Sequence, residues 1–567
     1  MNRTFDQRRA NDARPAMALL AMAALSFMCG ASRAAQIDTD SQDLSLRWDN
    51  TVKLSTLYRL KDADPALVDS VRLLVPNVPA SAFPQALNFN AGDDNFRKQG
   101  FVSERVDVLS EFDAVWQHQF GLRVSAAGWY DAAYHRHSDA TDPANGQAVV
   151  NEFPSRTRRQ EGGQAEFLDA FVFGGVDFDD GMKLTGRLGR HALQWGESLF
   201  FGDNGIARAQ GPIDIDKLLA SPNAQFKEII RPVPQLSTQL QLSSDVSLGA
   251  YYQFRWEADR LPAAGSYFST ANTAWGSEQP EFVNIPSGPI AGSYVLSAGG
   301  DHSARNSGQF GLQMKWRVAE TDVGLYAARY HDKDGQLYGN LNVQTPDASQ
   351  WYYVFPQGIN VFGASASQSL GDFNIAMEGS VRDHMPLRSQ NMTYPSAFAP
   401  APQFATGRTA HFNLSTLATF GPTFLSQESS LVAELAWNRV LKTTDPDSEL
   451  DAGRTRDATA LQAIFTPTYR QVLPGLDLDV PVGLRYTLNG NSSVTNWDAK
   501  HTGSATFGLA GNYLGVWQLS LGYTHYLGKA VPYIDYSPLL AGGSPIYSHG
   551  NPLADRDSVA FSVRRTF

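Results

Sequence analysis

The sequence predicts an all-β protein, a transmembrane antiparallel β-barrel of about 18 strands, with 16 or 14 strands as alternatives. Three observations predict this fold: long segments in which apolar and polar residues alternate, short turns that alternate with long polar loops, and an export signal at the start of the chain. Strands of ten or more residues with such connections are typical of outer-membrane barrels. Because a bilayer cannot satisfy open sheet edges, such a sheet must close.

Residues 1–34 are predicted to be a cleaved signal peptide. Four arginines precede the apolar stretch "AMALLAMAALSFM" (16–28), and small residues lead to a cleavage site after Ala34. The remaining residues, 35–567, form a single barrel domain in this interpretation. Cys29 is the only cysteine and lies in the signal, so the exported chain holds neither a disulfide nor a cysteine nucleophile. The net charge of −11 argues against nucleic acid as a partner.

The strands are predicted from apolar residues at every second position. In "LSLRWDNTVKLSTLYRL" (44–60), for example, Leu46, Trp48 and Val52 fall on one face, and Arg47 and Lys53 fall on the other. The predicted strands lie near 44–60, 102–117, 122–135, 164–174, 181–191, 235–243, 246–257, 308–318, 322–331, 359–369, 372–383, 408–420, 429–440, 457–468, 478–488, 502–513, 516–526 and 556–567. A barrel of this size is too wide for wall side chains to fill, so we expect a segment that lines or plugs it.

The last strand, "SVAFSVRRTF", ends in Phe567. A terminal strand with a C-terminal phenylalanine resembles the signal that is read by the machinery that inserts outer-membrane barrels. We therefore expect that machinery as a partner. We also expect the lipid bilayer and lipopolysaccharide as surroundings, in the outer membrane of a Gram-negative bacterium.

The link after the fifth strand, residues 192–234, is predicted to fold inward as a constriction or plug, by analogy with the general porins. "GRHALQWGESLFFGDNGIARAQGPIDIDK" (189–217) is dense in charges, and "DIDKLLA" can begin a short helix near Asp214 or Asp216. Opposed charges across a pore select what passes. The alternative is that Arg187 and Arg190 pair with carboxylates and only pin the link to the wall. The candidate permeant-contacting residues are Arg187, Arg190, His191, Trp195, Glu197, Asp203, Arg208, Asp214 and Asp216.

No catalytic site, cofactor or metal site is predicted, and we expect the protein not to be an enzyme. The nucleophile motif G-x-S-x-G does not occur, because "GESLF" fails at its last position. Ser110, His118 and His411 are interpreted as lumen lining, although some outer-membrane lipases use a serine and a histidine of the barrel wall. "HRH" (135–137) lacks the further ligands that a metal needs.

Several segments resemble an uncharacterised proteobacterial family of outer-membrane β-barrels, a domain of unknown function with the motif R-x-G-R-x-x-x-x-W-G-E-S-L-F. The segments are "RVDVLSEFDAVW" (105–116), "RLGRHALQWGESLFFGDNGIARAQGPIDIDK" (187–217), "LGAYYQFRWEADRLPAAGSYFS" (248–269), "LVAELAWNRV" (431–440) and "DRDSVAFSVRRTF" (555–567). The resemblance implies an outer-membrane barrel, with periplasmic or inner-membrane transport components as further partners. It implies no substrate and no functional residues.

We expect the protein to act as a channel or transporter for hydrophobic or aromatic small molecules, such as a fatty acid or a sterol. The long links carry aromatic segments that offer an apolar surface, "RWEADRLPAAGSYF", "QWYYVFPQG" and "VPYIDYSPLL". Aromatics that form a girdle at the membrane interface are the alternative explanation. Two other functions stay open: an envelope scaffold or partner of an inner-membrane export system, and an outer-membrane hydrolase.

Overall fold

The computed structural model describes most of the chain after the predicted signal peptide, which lies outside the described residues. The described residues are 35–39, 41–68, 90–140, 151–179, 181–221, 226–271, 281–285, 292–340, 342, 344–389, 392–393, 404–444, 450–535, 538 and 546–567.

Eighteen antiparallel strands form one closed barrel, which confirms the predicted fold. They are β1 (Leu44–Arg59), β2 (Gly100–Trp116), β3 (Phe120–Asp131), β4 (Gly163–Asp177), β5 (Lys183–His191), β6 (Val233–Gln241), β7 (Val246–Gln253), β8 (Gln309–Val318), β9 (Thr321–Tyr330), β10 (Ile359–Leu370), β11 (Phe373–Pro386), β12 (Thr406–Phe420), β13 (Glu428–Thr443), β14 (Asp457–Leu473), β15 in two segments (Leu476–Asp479 and Val482–Asn489), β16 (Gly503–Tyr513), β17 (Trp517–Leu527) and β18 (Ser558–Thr566). Each strand pairs with the strands before and after it. The ring closes where β18 pairs with β1, from Thr51 opposite Thr566 to Arg59 opposite Ser558.

The alternation along the strands separates two environments. In β1 the side chains of Lys53, Ser55 and Arg59 are buried in the lumen, whereas Trp48 on the other face is 49% exposed. Large apolar side chains also point outward from β8 and β10, where Leu312 and Phe362 are 60% and 59% exposed. An apolar surface of this kind is stable only when lipid covers it. The protein is therefore an outer-membrane barrel of a Gram-negative bacterium.

Short turns lie on one side of the barrel and long loops on the other. Residues 117–119 join β2 to β3, and residues 514–516 join β16 to β17. Gln117, His118, Leu514 and Gly515 have positive φ angles, between 49° and 69°, which suits tight hairpins. Turns also occur at the other predicted places, residues 242–245, 319–320 and 371–372. The first barrel strand begins, and the last one ends, on the side of the short turns.

The long loops carry short elements of their own. Helices span Pro65–Val68, Ala91–Asn95, Ala132–His135, Ser155–Gln160, Ile206–Ala209, Ile215–Ala220, Phe226–Ile229 and Pro346–Ala348. A five-stranded sheet combines Glu281–Ile285, Gly292–Ala298, Gln336–Asn340, Ser349–Val354 and Met392–Thr393, and Ile534–Asp535 pairs with Ile546–Tyr547. Ala35–Ile37 adds a short strand beside β1. Among the described residues, no helix is long and apolar enough to span a membrane.

A buried ion network ties the loops to the barrel. The Arg59 guanidinium lies 3.3 Å from the Asp93 carboxylate and 2.7 Å from that of Asp555. Arg556 lies 2.9 Å from Asp93, and both guanidinium groups lie over the ring of Tyr267. The ends of β1 and β18 are thereby joined to the loops that follow β1 and β7.

Candidate luminal site

The link between β5 and β6, residues 192–232, crosses the lumen. It leaves the wall at His191, yet its segment 195–206 contacts β11, β12 and β13, which lie six to eight strands away around a ring of 18. The link therefore folds inward, as the sequence predicts. β6 begins at Val233, so the link is two residues shorter than predicted. Residues 222–225 lie outside the described part.

Glu434 on β13 holds the tip of the crossing segment. Its Oε2 atom accepts hydrogen bonds from three consecutive backbone N–H groups, those of Leu199, Phe200 and Phe201, at 3.1, 2.5 and 2.9 Å. Its Oε1 atom accepts hydrogen bonds from the Ser198 hydroxyl at 2.9 Å and the Asn413 amide at 2.7 Å. Successive N–H groups that converge in this way form a concave anion site. Here a carboxylate of the barrel wall occupies it.

Glu378 on β11 holds the two glycines that flank this tip. It accepts hydrogen bonds from the backbone N–H of Glu197 at 2.6 Å and of Ile206 at 3.0 Å. A Cβ atom at Gly196 or at Gly205 would lie 2.3 Å from a carboxylate oxygen of Glu378. Gly196 also has a φ of 93°. A side chain at either position would displace the Glu378 carboxylate from its hydrogen bonds, so both positions favour glycine.

Arg382 and Asn204 complete the attachment. The Arg382 guanidinium donates to the backbone carbonyls of Asp203, Asn204 and Gly205 at 3.0, 2.6 and 2.8 Å. The Asn204 side chain, which is fully buried, bonds Asn413 and His411 on β12 at 2.8 and 3.0 Å. Wall side chains thus satisfy the polar backbone of the segment, as a buried irregular segment requires.

The helix Ile215–Ala220 belongs to the same link, and Asp214 caps it. The Asp214 carboxylate accepts a hydrogen bond from the backbone N–H of Lys217 at 2.9 Å and one from Arg260 at 2.9 Å. Burial, followed by repulsion from Asp214, raises the pKa of Asp216 in this helix to about 6. Burial and the nearby Asp216 likewise raise the pKa of Glu161. The two acids form a buried pair that resists ionisation.

A second group of charges lies around Arg208. Its guanidinium lies 2.7 Å from Asp259 and 3.6 Å from Asp332. Burial opposes ionisation of Arg208, but the neighbouring aspartates raise its pKa. Lys333 donates to the Arg208 carbonyl at 3.2 Å, and burial lowers the pKa of Lys333 to about 7.

The sequence-predicted residues do not face one another as expected. Arg190 pairs with Glu257 at 2.6 Å, Arg208 pairs with Asp259, and Asp214 pairs with Arg260. The segment is fastened by wall residues rather than by Arg187 or Arg190. Of the other candidates, Arg187 lies over the Phe171 ring, His191 is hydrogen-bonded to the Ser237 hydroxyl, and Trp195 packs against Tyr251. Glu197 lies 3.6 Å from Lys315, and the Asp203 carboxylate accepts a hydrogen bond from the backbone N–H of Asn204. Asp216 belongs to the acid pair with Glu161.

Two adjoining cavities lie between the crossing link and the other loops. The charged cavity, about 180 Å³, is lined by Phe200, Asp203, Arg208, Leu218, Arg388 and Arg485, among others. The apolar cavity, about 240 Å³, is lined by Leu219, Leu261, Pro262, Phe268, Tyr353 and Leu553, among others. The two share Ile215, Asp334, Arg388 and Asn496, so they lie next to each other. Of the nine predicted residues, only Asp203 and Arg208 line them.

The described aromatic residues of these segments of the long links are buried or half-buried among the loops; residues 536–537 and 539–540 of "VPYIDYSPLL" lie outside the described residues. Tyr267 and Trp351 are 1% and 3% exposed, and Tyr353 and Tyr533 line the apolar cavity. These aromatics therefore do not form a membrane girdle. Other aromatic and aliphatic residues on the outer face supply the contact with lipid.

The residues weighed for catalysis are not brought together. Ser110 on β2 accepts a hydrogen bond from Trp48 on the outer face of the barrel, and His118 lies in the turn after β2, so the prediction that these two residues line the lumen is wrong. His411 on β12 is occupied on both ring nitrogens, by Thr409 at 2.8 Å and Asn204 at 3.0 Å. Within the described ranges, no three His, Cys, Asp or Glu side chains are grouped as a metal site would need.

A family model described as "Protein of unknown function (DUF1302)" matches residues 16–567. The chain belongs to this family. The match spans the barrel and the crossing link, which agrees with the family resemblance of the sequence segments. Among curated proteins, none matches the chain significantly.

Solved outer-membrane structures are similar at low identity. Salmonella typhi OmpF in complex with daunomycin is 9% identical, with a TM-score of 0.38, and the match covers 94% of this chain and 100% of that one. Acinetobacter baumannii OccAB4 is 9% identical, with a TM-score of 0.39 and coverage of 93% and 100%. Pseudomonas aeruginosa OccK9 (OpdG) is 12% identical, with a TM-score of 0.37 and coverage of 92% and 98%.

The residues that the sequence did not single out are the wall partners, Glu378, Arg382, Asn413 and Glu434, and the loop acids Asp259 and Asp332. The wall residues fall on the polar face of their strands, which was visible in the alternation. Asp259 lies in one of the segments that carry the family resemblance. The lumen-facing position of the four wall residues was therefore predictable, but the groups of the crossing link that they bind were not.

Proposed function

We propose that the protein is an outer-membrane channel that carries hydrophobic or aromatic small molecules, of the fatty acid or sterol type, past the crossing link. The observation that carries this proposal is the exposure of two leucines inside the barrel. Leu218 and Leu219 are 49% and 36% exposed, and they line the charged and the apolar cavity respectively.

Exposed leucines in the loops of a barrel are costly unless a ligand covers them, because apolar surface left in water costs about 25 cal/mol per Å². Leu261, Phe268 and Leu553 extend the same apolar surface. Binding sites for small molecules combine such a surface with a few well-placed polar groups. The two cavities together have this composition.

The charged cavity supplies the polar groups. Asp203 and Arg208 lie there with Arg388 and Arg485. Each arginine faces at least one aspartate: Asp259 for Arg208, Asp334 for Arg388 and Asp498 for Arg485. Opposed charges of this kind orient a permeating dipole. In this proposal Asp203 and Arg208 contact the permeant, whereas the other predicted residues line neither cavity.

The test is the block of the single-channel current by a neutral aromatic probe, 1-naphthol, in planar bilayers. We expect 1-naphthol to block the wild-type current. We expect the double variant Leu218→Asn/Leu219→Asn to need about tenfold more probe, since it loses two apolar contacts. Leu199→Asn is the matched control, because Leu199 is as exposed as Leu219 on the same link and lines neither cavity. An absence of wild-type current, or block that is equal in all three proteins, would refute the proposal.

A further inference from the structure

A third cavity, the arginine cavity, has a different lining. Its volume is about 540 Å³, and it is lined by Arg156, Arg159, Gln160, Gly163, Gln164 and Arg260. Three guanidinium groups and two amides thus share one space, and none of the lining residues is a carboxylate. Guanidinium groups and amide N–H₂ groups are hydrogen-bond donors that suit an anion.

The helix Ser155–Gln160 positions two of the arginines. Thr157 is 1% exposed, and its hydroxyl donates to the Ala264 carbonyl at 2.6 Å, which fixes one face of the helix on the loop after β7. Arg156, Arg158 and Arg159 remain exposed on the other side. Within the described part of the chain, Arg156 forms no ion pair. Its charge is therefore available to an anion that enters.

The third arginine is held by the carboxylates of the link and the wall. Arg260 donates to Glu166 at 2.9 Å and to Asp214 at 2.9 Å. Glu166 and Asp214 do not line the arginine cavity. They hold the Arg260 guanidinium through both of its terminal nitrogens.

The arginine cavity borders the apolar cavity through a single stretch of chain. Arg260 lines the first, and the next two residues, Leu261 and Pro262, line the second. The Gln160 amide donates to the Leu261 carbonyl at 2.8 Å and fixes this boundary. The linings of the two cavities thus meet at Arg260 and Leu261, which suits a molecule with an anionic end and an apolar body.

We propose that the arginine cavity binds the carboxylate of an amphipathic anion while its hydrocarbon part enters the apolar cavity. This inference rests on the proposed channel function and narrows its substrate class to long-chain carboxylates. Arginine suits this role because its planar group binds a carboxylate through two parallel hydrogen bonds. The apolar surface beyond then selects molecules with a long chain.

The test compares laurate with its neutral analogue dodecanol as blockers of the channel current in bilayers free of lipopolysaccharide. We expect Arg156→Gln/Arg159→Gln to weaken block by laurate by about tenfold or more, because charge-assisted hydrogen bonds are lost. Block by dodecanol is expected to stay unchanged. Arg158→Gln is the matched control, since Arg158 is exposed on the same helix but does not line the cavity.

Three results would overturn the inference: laurate block that the double variant leaves unchanged, equal losses for laurate and dodecanol, and arginine-dependent binding that is seen only for lipopolysaccharide. The last result would assign the arginines to a lipid phosphate. A failure of the channel proposal looks different, because the wild-type protein would then show no block by dodecanol or by 1-naphthol.

Discussion

The Glu434 carboxylate accepts a 2.9 Å hydrogen bond from the backbone N–H of Phe201, a residue 233 positions earlier in the chain. The bond joins the wall strand β13 to the tip of a link that began on β5. Phe201 is 1% exposed and packs with its ring centroid 5.3 Å from that of Trp497. A buried carboxylate with five hydrogen-bond donors around it therefore fixes where the link crosses the lumen.

Replacing Glu434 by Gln is expected to loosen the link. The amide carries one acceptor oxygen instead of two charged ones, and its NH₂ group faces backbone donors. We expect a loss of about 1.5–3 kcal/mol in the free energy of unfolding, measured by urea titration in liposomes. Glu428→Gln on the same strand is the control; Glu428 pairs with Arg470 in an exposed position, so its loss should be below about 1 kcal/mol. Equal losses would show that Glu434 is not an anchor.

Gly196→Ala should displace the crossing segment. The new Cβ would lie 2.3 Å from Glu378 Oε2, and the φ of 93° strains any side chain. We expect faster cleavage of the link by added protease and a destabilisation of about 1–3 kcal/mol. Gly202→Ala is the control, because the nearest atom to its new Cβ, on Ala207, lies 3.9 Å away. The prediction fails if both variants resist protease equally.

The acid pair predicts a pH dependence of stability. Burial, then Asp214, raises the pKa of Asp216 from 3.8 to about 6. A raised pKa means that protonated Asp216 contributes stability that is complete below pH 3.8 and is lost as the pH rises through about 6. We therefore expect Asp216→Asn to match the wild type at pH 4 and to exceed it at pH 8 by up to roughly 3 kcal/mol.

The measurement is the melting temperature of both proteins between pH 4 and pH 8. Asp347→Asn is the control, because Asp347 is exposed in another loop. The melting temperature of Asp216→Asn must exceed that of the wild type by an amount that grows as the pH rises. A difference that shrinks with rising pH would contradict the assignment of the pair.

The buried network at the loop side predicts a large effect for one arginine. Arg59→Met removes the nearest partner of Asp555 and one of the two arginines beside Asp93, and breaking a buried pair in this way typically costs about 3–5 kcal/mol. Arg317→Met, which breaks an exposed pair with Asp322, should cost less than about 1 kcal/mol. Urea unfolding of both variants compares them. Similar midpoints would mean that the network does not hold the loops.

The fold was predictable because each strand carries its own pattern. A barrel strand faces lipid on one side and the lumen on the other, so a local alternation such as Trp48 against Lys53 is sufficient to identify it. All 18 strands were predicted within a few residues. The inward fold of the link after β5 was also predicted, as residues 192–234, by analogy with the general porins and from the apolar and charged composition of the link.

The partners inside the lumen were not predictable. Glu378 and Glu434 lie on lumen-facing positions, but periodicity does not say which backbone groups reach them from 172 to 235 residues away. Arg208 shows the same difficulty, because its partner Asp259 comes from a loop whose path depends on the whole barrel. Charge pairing across a lumen is set by the closed ring and not by local sequence.

We expect residues 195–210 to obstruct the lumen. The most direct test is the single-channel conductance of a protein that lacks residues 195–210, compared with the wild type in planar bilayers, with membrane insertion verified for both. We predict a clear rise in conductance in the shortened protein. An unchanged conductance in a correctly inserted barrel would contradict the account.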